Sequence, residues 1–512
     1  MTPRAQLTNG VVEGTTEDGL AVFRGMPFAK PPFGPLRFQR PEPPDPWEGV
    51  RPATAFGPPP PQTGHLFRTD DPLAEADPAP DCLHVSVWSP DLAGSLPVMV
   101  WIYGGAYLVG SADQPVYDGA TLARGGVVVV TFNHRVGAEG FASLDGAPDN
   151  RGLLDQVAAL RWVQENIAAF GGDPARVTVF GQSAGASSVA ALLAMPAARG
   201  LFRRGILQSV PGTFFSPRLG RDVSTRIAAQ LGLSPTASDF ATRRPDEIGE
   251  AVVKVQAAMP ELVDRWGRVA RTITPFSPIV GGETLPTAPW DALAAGASSD
   301  VEIVAGFMRE EYRVFHTLDG TLARADDADA TYMVDLLGPD DAGTGTRGDP
   351  ASDYRAAYPE KSPGELIEVA FTDWLFRMAT LRLAEQHVAG GGRAFVYEIA
   401  LPAPAQGGAF GACHGFDLPL TFGNLENLGA DFTAALLGDD PPSASVRRAS
   451  EAIRTAWTAF AKTGDPGWAP LDVARGNARV FGEEPVDTDG LEQRSTALWA
   501  RHRFAEMDLV GD

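Results

Sequence analysis

The sequence predicts an α/β fold with a mostly parallel central sheet, helices on both faces and helical insertions capping it. Three observations carry this expectation. Between residues 84 and 210, short apolar runs alternate with helically spaced segments, and a βαβα rhythm lays strands side by side under covering helices. The run at 127–132 is β-branched and unbroken, as a strand buried on both faces requires. The runs at 98–103 and 177–180 stop at glycines, where a chain leaving a sheet turns sharply.

Taken in order, residues 31–61 are Pro-rich, end in Gly57-Pro58-Pro59-Pro60-Pro61, and read as extended surface loop. Residues 98–103 read as a strand ending at Gly104-Gly105, and 127–132 as the next strand. Leu154, Val157, Ala158, Leu160, Trp162 and Ile167 give 153–170 helical spacing. A strand at 177–180 and a helix at 186–193 follow. Residues 217–275 are helical and less strictly patterned, as a cap insertion would be. Residues 301–306 and 393–399 are further strands. Between them, 320–392 forms a second helical insertion, interrupted by a Pro- and Gly-containing loop at 339–345. A late helix at 449–462 ends at Thr463-Gly464-Asp465-Pro466. Repeats and heptads are absent. The expectation is one domain over 1–512 with cap-like insertions near 217–275 and 320–392.

Composition narrows the function. The chain has 512 residues, with 64 acidic against 42 basic ones and a formal charge of −22. Nucleic-acid binding needs clustered positive charge, so that class is set aside. Two cysteines, Cys82 and Cys413, are too few for a disulfide framework in so long a chain. The first residues lack the apolar core of a signal peptide, and no window approaches the ~20 apolar residues of a membrane span. A cytoplasmic protein without a membrane partner is expected, as monomer or dimer.

The sharpest chemical signal is Gly181-Gln182-Ser183-Ala184-Gly185, between the 177–180 strand and the helix after it. A nucleophile on a tight strand-to-helix turn has a strained backbone, and its neighbours two positions away must be small because strand and helix approach there. The helix N-terminus points free N–H groups at the reaction centre. A serine hydroxyl needs a base. Of the seven histidines, His65, His84, His134, His316, His387 and His502 lie in settings that suit structural or solvated roles, His387 at a helix end that suits a charged ring. His414 lies in a Gly-rich loop, 407–415, shortly after a strand. A carboxylate must orient the ring and stabilise the imidazolium. Glu310 and Glu311, just beyond the 301–306 strand, are the candidates, and spacing does not separate them. Oxyanion donors fit the loop Gly104-Gly105-Ala106: the N–H groups of Gly105 and Ala106 with that of Ala184. Losing one such donor typically costs on the order of 10²–10³ in rate.

These residues resemble the type-B carboxylesterase family, which includes bacterial p-nitrobenzyl esterases, carboxylesterases and cholinesterases. The resemblance spans most of the chain. Its markers include Phe23-Arg24-Gly25-Met26-Pro27-Phe28-Ala29, Asp81-Cys82-Leu83, Asn133-His134-Arg135-Val136-Gly137, Phe170-Gly171-Gly172-Asp173-Pro174 and His414-Gly415-Phe416-Asp417-Leu418-Pro419. It implies an α/β-hydrolase fold and a Ser-His-Glu triad of Ser183, His414 and Glu311, with no cofactor and no metal. The expected activity is hydrolysis of small-molecule carboxylic esters through an acyl-enzyme. Amide, carbamate or lactone hydrolysis by the same triad is the alternative, and a non-catalytic binding protein of the same fold is the rival from another class.

The sequence departs from the family pattern in places. Tyr312 stands where Gly usually follows the acid, and Gln182 where Glu usually precedes the nucleophile, which removes one negative charge if residue 182 lines the pocket. Cys82 has no upstream partner, in keeping with a reducing compartment. Residues 62–80 contain no Trp for a quaternary ammonium, which speaks against a choline-ester specialist. Cys413, the Gln208-Ser209 pair, Trp374 and Phe376 are read as packing.

Overall fold

The computed structural model describes residues 2–62, 81–340, 348–426, 428 and 432–511. Its strands in chain order are β1 (Arg4–Leu7), β2 (Gly10–Glu13), β3 (Thr15–Glu17), β4 (Leu20–Pro27), β5 (Val50–Pro52), β6 (His84–Ser89) and β7 (Leu96–Ile102). There follow β8 (Val128–Phe132), β9 (Gly172–Gln182), β10 (Arg204–Gln208), β11 (Glu302–Met308), β12 (Arg393–Ile399), β13 (Ala478–Phe481) and β14 (Pro485–Thr488). Eleven of them form one sheet in the order β14-β13-β12-β11-β10-β9-β7-β8-β6-β4-β3. The run from β13 to β8 is parallel, and antiparallel strands flank it on both sides. This is the α/β-hydrolase architecture.

Alternation along each strand builds the two covering layers. Val98, Val100 and Ile102 of β7 face one hydrophobic layer, and Met99 and Trp101 face the other. Both faces are buried, which is why β8 reads as an unbroken apolar run. Helix Arg151–Asn166 buries Leu153, Val157 and Leu160 in the first layer. Helix Ala444–Thr463 buries Val446, Ala449, Ile453, Trp457 and Phe460 in the second. That last helix ends at Gly464, whose left-handed backbone lets its N–H reach the carbonyl of Phe460.

The order of strands locates the site. The chain passes from β7 to β8 on one side and returns to β9 on the other. In such sheets the crevice at the carboxyl ends of the strands where the order reverses is the place for a ligand. The loops after β7 and β9 meet there.

Several expectations need correction. Residues 31–61 are not loop throughout, because β5 pairs parallel with β2. The N-terminal strands β1–β4 and the hairpin β13–β14 are not expected from the sequence pattern. Residues 217–275 hold the helices Pro217–Leu231, Ala237–Phe240, Pro245–Ala258 and Val263–Trp266. His65, most of the 62–80 segment and most of the 339–345 loop lie outside the described residues. Among the described residues, no helix is long and apolar enough to cross a membrane.

Candidate active site

Ser183 follows β9 directly, with φ 58° and ψ −126°, and helix Ala184–Ala194 starts at the next residue. The strained turn is held from both sides. The N–H of Ser183 donates to the carbonyl of Gln208, and its carbonyl accepts from the N–H of Ser187. The glycines at 181 and 185 are required by space. A Cβ on Gly181 would lie 2.6 Å from the carbonyl carbon of Gly185, and one on Gly185 would overlap the carbonyl oxygen of Ile102.

The loop after β7 abuts this turn. A Cβ on Gly104 would lie 2.7 Å from the Gln182 carbonyl oxygen and 3.1 Å from the Ser183 Cβ. Gly105, Ala106 and Tyr107 all have positive φ, so the loop folds back sharply beside the serine. Among the described residues, the N–H groups of Gly105, Ala106 and Ala184 donate to no protein acceptor. They are therefore available to an oxygen bound from outside.

His414 and Glu311 are brought together from far apart in the chain. His414 Nδ1 lies 2.6 Å from Glu311 Oε2. The second oxygen, Oε1, accepts the N–H of Met308 at 2.8 Å, and the His414 N–H donates to the Glu311 carbonyl. Glu311 is fully buried. Glu310 turns elsewhere: it accepts the N–H of Ala412 at 3.0 Å and pairs with Arg313. Structure thus separates two carboxylates that spacing left equal. One meets the ring and the other pins the loop that carries it.

On the far side of the ring, Nε2 lies 3.2 Å from Nε2 of Gln182, a buried residue. Among the described residues, the Ser183 hydroxyl has no hydrogen bond to the ring. Catalytic hydrogen bonds are often formed only once substrate is bound. The ring faces are apolar. Phe376 lies 4.4 Å away between centroids and Phe315 6.1 Å. Phe376 packs in the core, as expected, and one of the rings it packs against is that of His414. It reaches the ring from a π-helical turn, Thr372–Arg377, and such turns often sit at functional sites. Trp374 is buried against Phe371, as packing requires.

Neighbouring groups complete the picture. Tyr312 stacks on Phe371 with centroids 4.2 Å apart, and its N–H donates to Thr372 Oγ1. Gln208 donates to Asp417 Oδ2 at 2.6 Å and accepts from Trp457. Burial, then the nearby Glu311 charge, pushes the Asp417 carboxyl up to about 6. Burial pushes the Cys413 thiol far above its usual range, so it is poorly suited to chemistry. The other described histidines are held down as neutral rings by burial: His134 to about 3 and His316 to about 4. His387 is likewise lowered by burial and bonds the Val301 carbonyl, so it is not the charged helix-end residue expected. Among the described residues, no group of His, Cys, Asp and Glu is arranged to hold a metal.

Residues 1–474 match the family model described as "Carboxylesterase family". A para-nitrobenzyl esterase of Bacillus subtilis is 37% identical over 469 residues, with 89% of each chain covered. A phenmedipham hydrolase of Pseudarthrobacter oxydans is 36% identical over 481 residues, with 92% of each covered. A solved Geobacillus stearothermophilus carboxylesterase superposes with a TM-score of 0.82 at 32% identity, covering 97% of this chain and 99% of its own.

Proposed function

Since the chain belongs to the carboxylesterase family and is a carboxylic ester hydrolase, we propose that Ser183, His414 and Glu311 form its triad, with Gly105, Ala106 and Ala184 as oxyanion donors. The observation that carries this is the 2.6 Å bond between His414 Nδ1 and the buried Glu311 carboxylate. A carboxylate accepts only, so Nδ1 carries the proton and Nε2 of the neutral ring is the free base. That base removes the Ser183 proton as the oxygen attacks the ester carbonyl. The three N–H groups take the oxygen as it becomes negative. The imidazolium, stabilised by Glu311, returns its proton to the departing alcohol. Water, activated by the same ring, then releases the acid. No cofactor enters any step.

The substrates proposed are small carboxylic esters, in line with the apolar faces that Phe315 and Phe376 give the base. The chain is proposed to act as one domain, since one sheet joins strands from Thr15 to Thr488, and in the cytoplasm, a setting that suits its two buried unpaired cysteines. The test is Ser183→Ala. Turnover of p-nitrophenyl esters should fall on the order of 10⁴-fold or more, and labelling by a fluorophosphonate should vanish. Near-normal turnover in a folded, pure variant would remove Ser183 from the assignment.

A further inference from the structure

The side chain that bonds His414 Nε2 is not that of the proposed nucleophile but of the residue before it. Gln182 Nε2 lies 3.2 Å from that nitrogen, and Gln182 Oε1 lies beside Gly104 of the oxyanion loop, 3.1 Å from where a Cβ would stand. Glu311 fixes the proton on Nδ1, so Nε2 of the neutral ring presents a lone pair. An amide N–H satisfies a lone pair, and a carboxylate, having none, does not. When Nε2 takes the serine proton it becomes a donor, and the amide must turn its oxygen to the ring or leave it.

We propose that Gln182 is a positioning residue that shares the Nε2 lone pair of His414 with Ser183 and, being neutral, holds the base in its unprotonated form at lower pH than a carboxylate there would allow. The inference rests on the triad reading above. Its physical basis is that a hydrogen bond to the neutral form disfavours the charged form, whereas an adjacent negative charge favours it. The other groups around the ring are common to any variant at 182. Glu311 occupies Nδ1 from the end of β11, and Asp417 follows in the ring's own segment. Glu310 and Arg313 pair with each other and bind the backbone of 409 and 412. From the π-helical turn, Phe376 covers the ring, while Asp373 and Arg377 pair with each other, Arg377 also bonding the Arg309 carbonyl and Asp373 accepting from Tyr354. His316, on the helix that carries Phe315, packs on Tyr312 and Phe371. Cys413 is buried and un-ionised. None of these distinguishes residue 182, so a shift between variants reports the amide.

The experiment compares the acid limb of kcat/KM for one p-nitrophenyl ester in the wild type, Gln182→Glu and Gln182→Met. Fluorophosphonate titration counts the competent sites in each. Gln182→Glu should move the midpoint up by about one pH unit or more, because a carboxylate beside Nε2 retains the proton. Gln182→Met, similar in length but without hydrogen bonds, should fall between the two. A midpoint unchanged in both variants overturns the proposal. If the glutamate variant does not fold, the methionine variant decides alone: an upward shift supports the proposal and an unchanged midpoint overturns it. A wild-type label on a residue other than Ser183 would defeat the triad reading itself, and it is read without either variant.

Discussion

Glu311→Gln is the substitution whose cost follows most directly from the geometry. The carboxylate accepts two hydrogen bonds, from the Met308 N–H at 2.8 Å and from His414 Nδ1 at 2.6 Å. An amide has one oxygen, so it can serve only one of these donors. The Met308 N–H is fixed in the backbone and buried, and leaving such a donor unmet costs about 1–3 kcal/mol. The amide oxygen therefore stays with Met308 and the NH2 faces Nδ1. That drives the ring into the tautomer with the proton on Nε2, where it cannot take the serine proton. Turning the amide to return the proton to Nδ1 would cost that same ~1–3 kcal/mol, and loss of the negative charge removes a further ~1.5–3 kcal/mol of support for the imidazolium. Together these amount to roughly 2.5–6 kcal/mol, or on the order of 10²–10⁴ in kcat/KM. Glu310→Gln is the control. Its amide oxygen can still accept the Ala412 N–H, and the partly exposed Arg313 pair is worth at most about 1 kcal/mol, so the loss should stay below about five-fold. Both are measured as kcat/KM on a short p-nitrophenyl ester, with circular dichroism to confirm folding. Equal losses in the two variants, or a Glu311→Gln enzyme within about five-fold of wild type, would refute the reasoning.

Gly104→Ala should lower kcat on the order of 10²-fold in a folded enzyme, since its Cβ would press within 2.7 Å of the Gln182 carbonyl and push the oxyanion loop away; an unchanged kcat would show that the loop need not lie against the serine. Asp417 gives a prediction about stability. Its carboxyl is raised from 3.8 to about 6 in the folded chain, so between those values the native state keeps a proton that the unfolded chain has lost. Stability contributed at low pH is thus lost as pH rises through about 4 to 6, by roughly 3 kcal/mol if the whole shift is realised. Asp417→Asn removes that titration, and urea midpoints at pH 4 and pH 7 should show the wild type losing ground relative to the variant; a constant difference would contradict it.

What could be read from the sequence follows from what is local. Strands β7, β8, β11 and β12, and β9 from Val177 onward, are largely buried on both faces, so their apolar runs declare them; the start of β9, from Gly172 to Arg176, is partly exposed and is not declared. β1 has four residues and alternates exposed with buried, a pattern too short to stand out, and its pairing with β2 is set by the turn and the core beneath. The glycines around Ser183 were legible because the crowding they relieve is a property of the turn itself. Glu310 and Glu311 were not separable by spacing, and only the family resemblance favoured Glu311, because the choice depends on which carboxylate the Met308 N–H and the His414 loop meet. That Phe376 packs on the His414 ring in particular was hidden for a similar reason. Its approach to the ring depends on a π-helical turn, where Thr372 Oγ1 binds Glu368 and the Tyr312 N–H, and nothing in the residue types of 372–377 announces the extra residue per turn.

Backbone strain gathers at the same edge of the sheet. Strands β7, β9 and β10 are neighbours, and soon after each ends a residue other than glycine takes positive φ: Ala106 and Tyr107, Ser183, and Ser209. Each such residue costs on the order of 1–3 kcal/mol and persists only where its surroundings over-determine it. Here the surroundings are the adjoining strand ends. The Ser183 N–H is held by the Gln208 carbonyl, and the Ser209 N–H by the Gly306 carbonyl. The turns at Ser183 and Ser209 are thus each tied to the strand beside them, and there the ladder of parallel strands continues into the loops as single bonds. The cost is small against a core that extends over both faces of the sheet. Its result is that the turns carrying Ser183 and Ser209 are held in fixed register, with the loop at Gly104 close against the serine, before any substrate arrives.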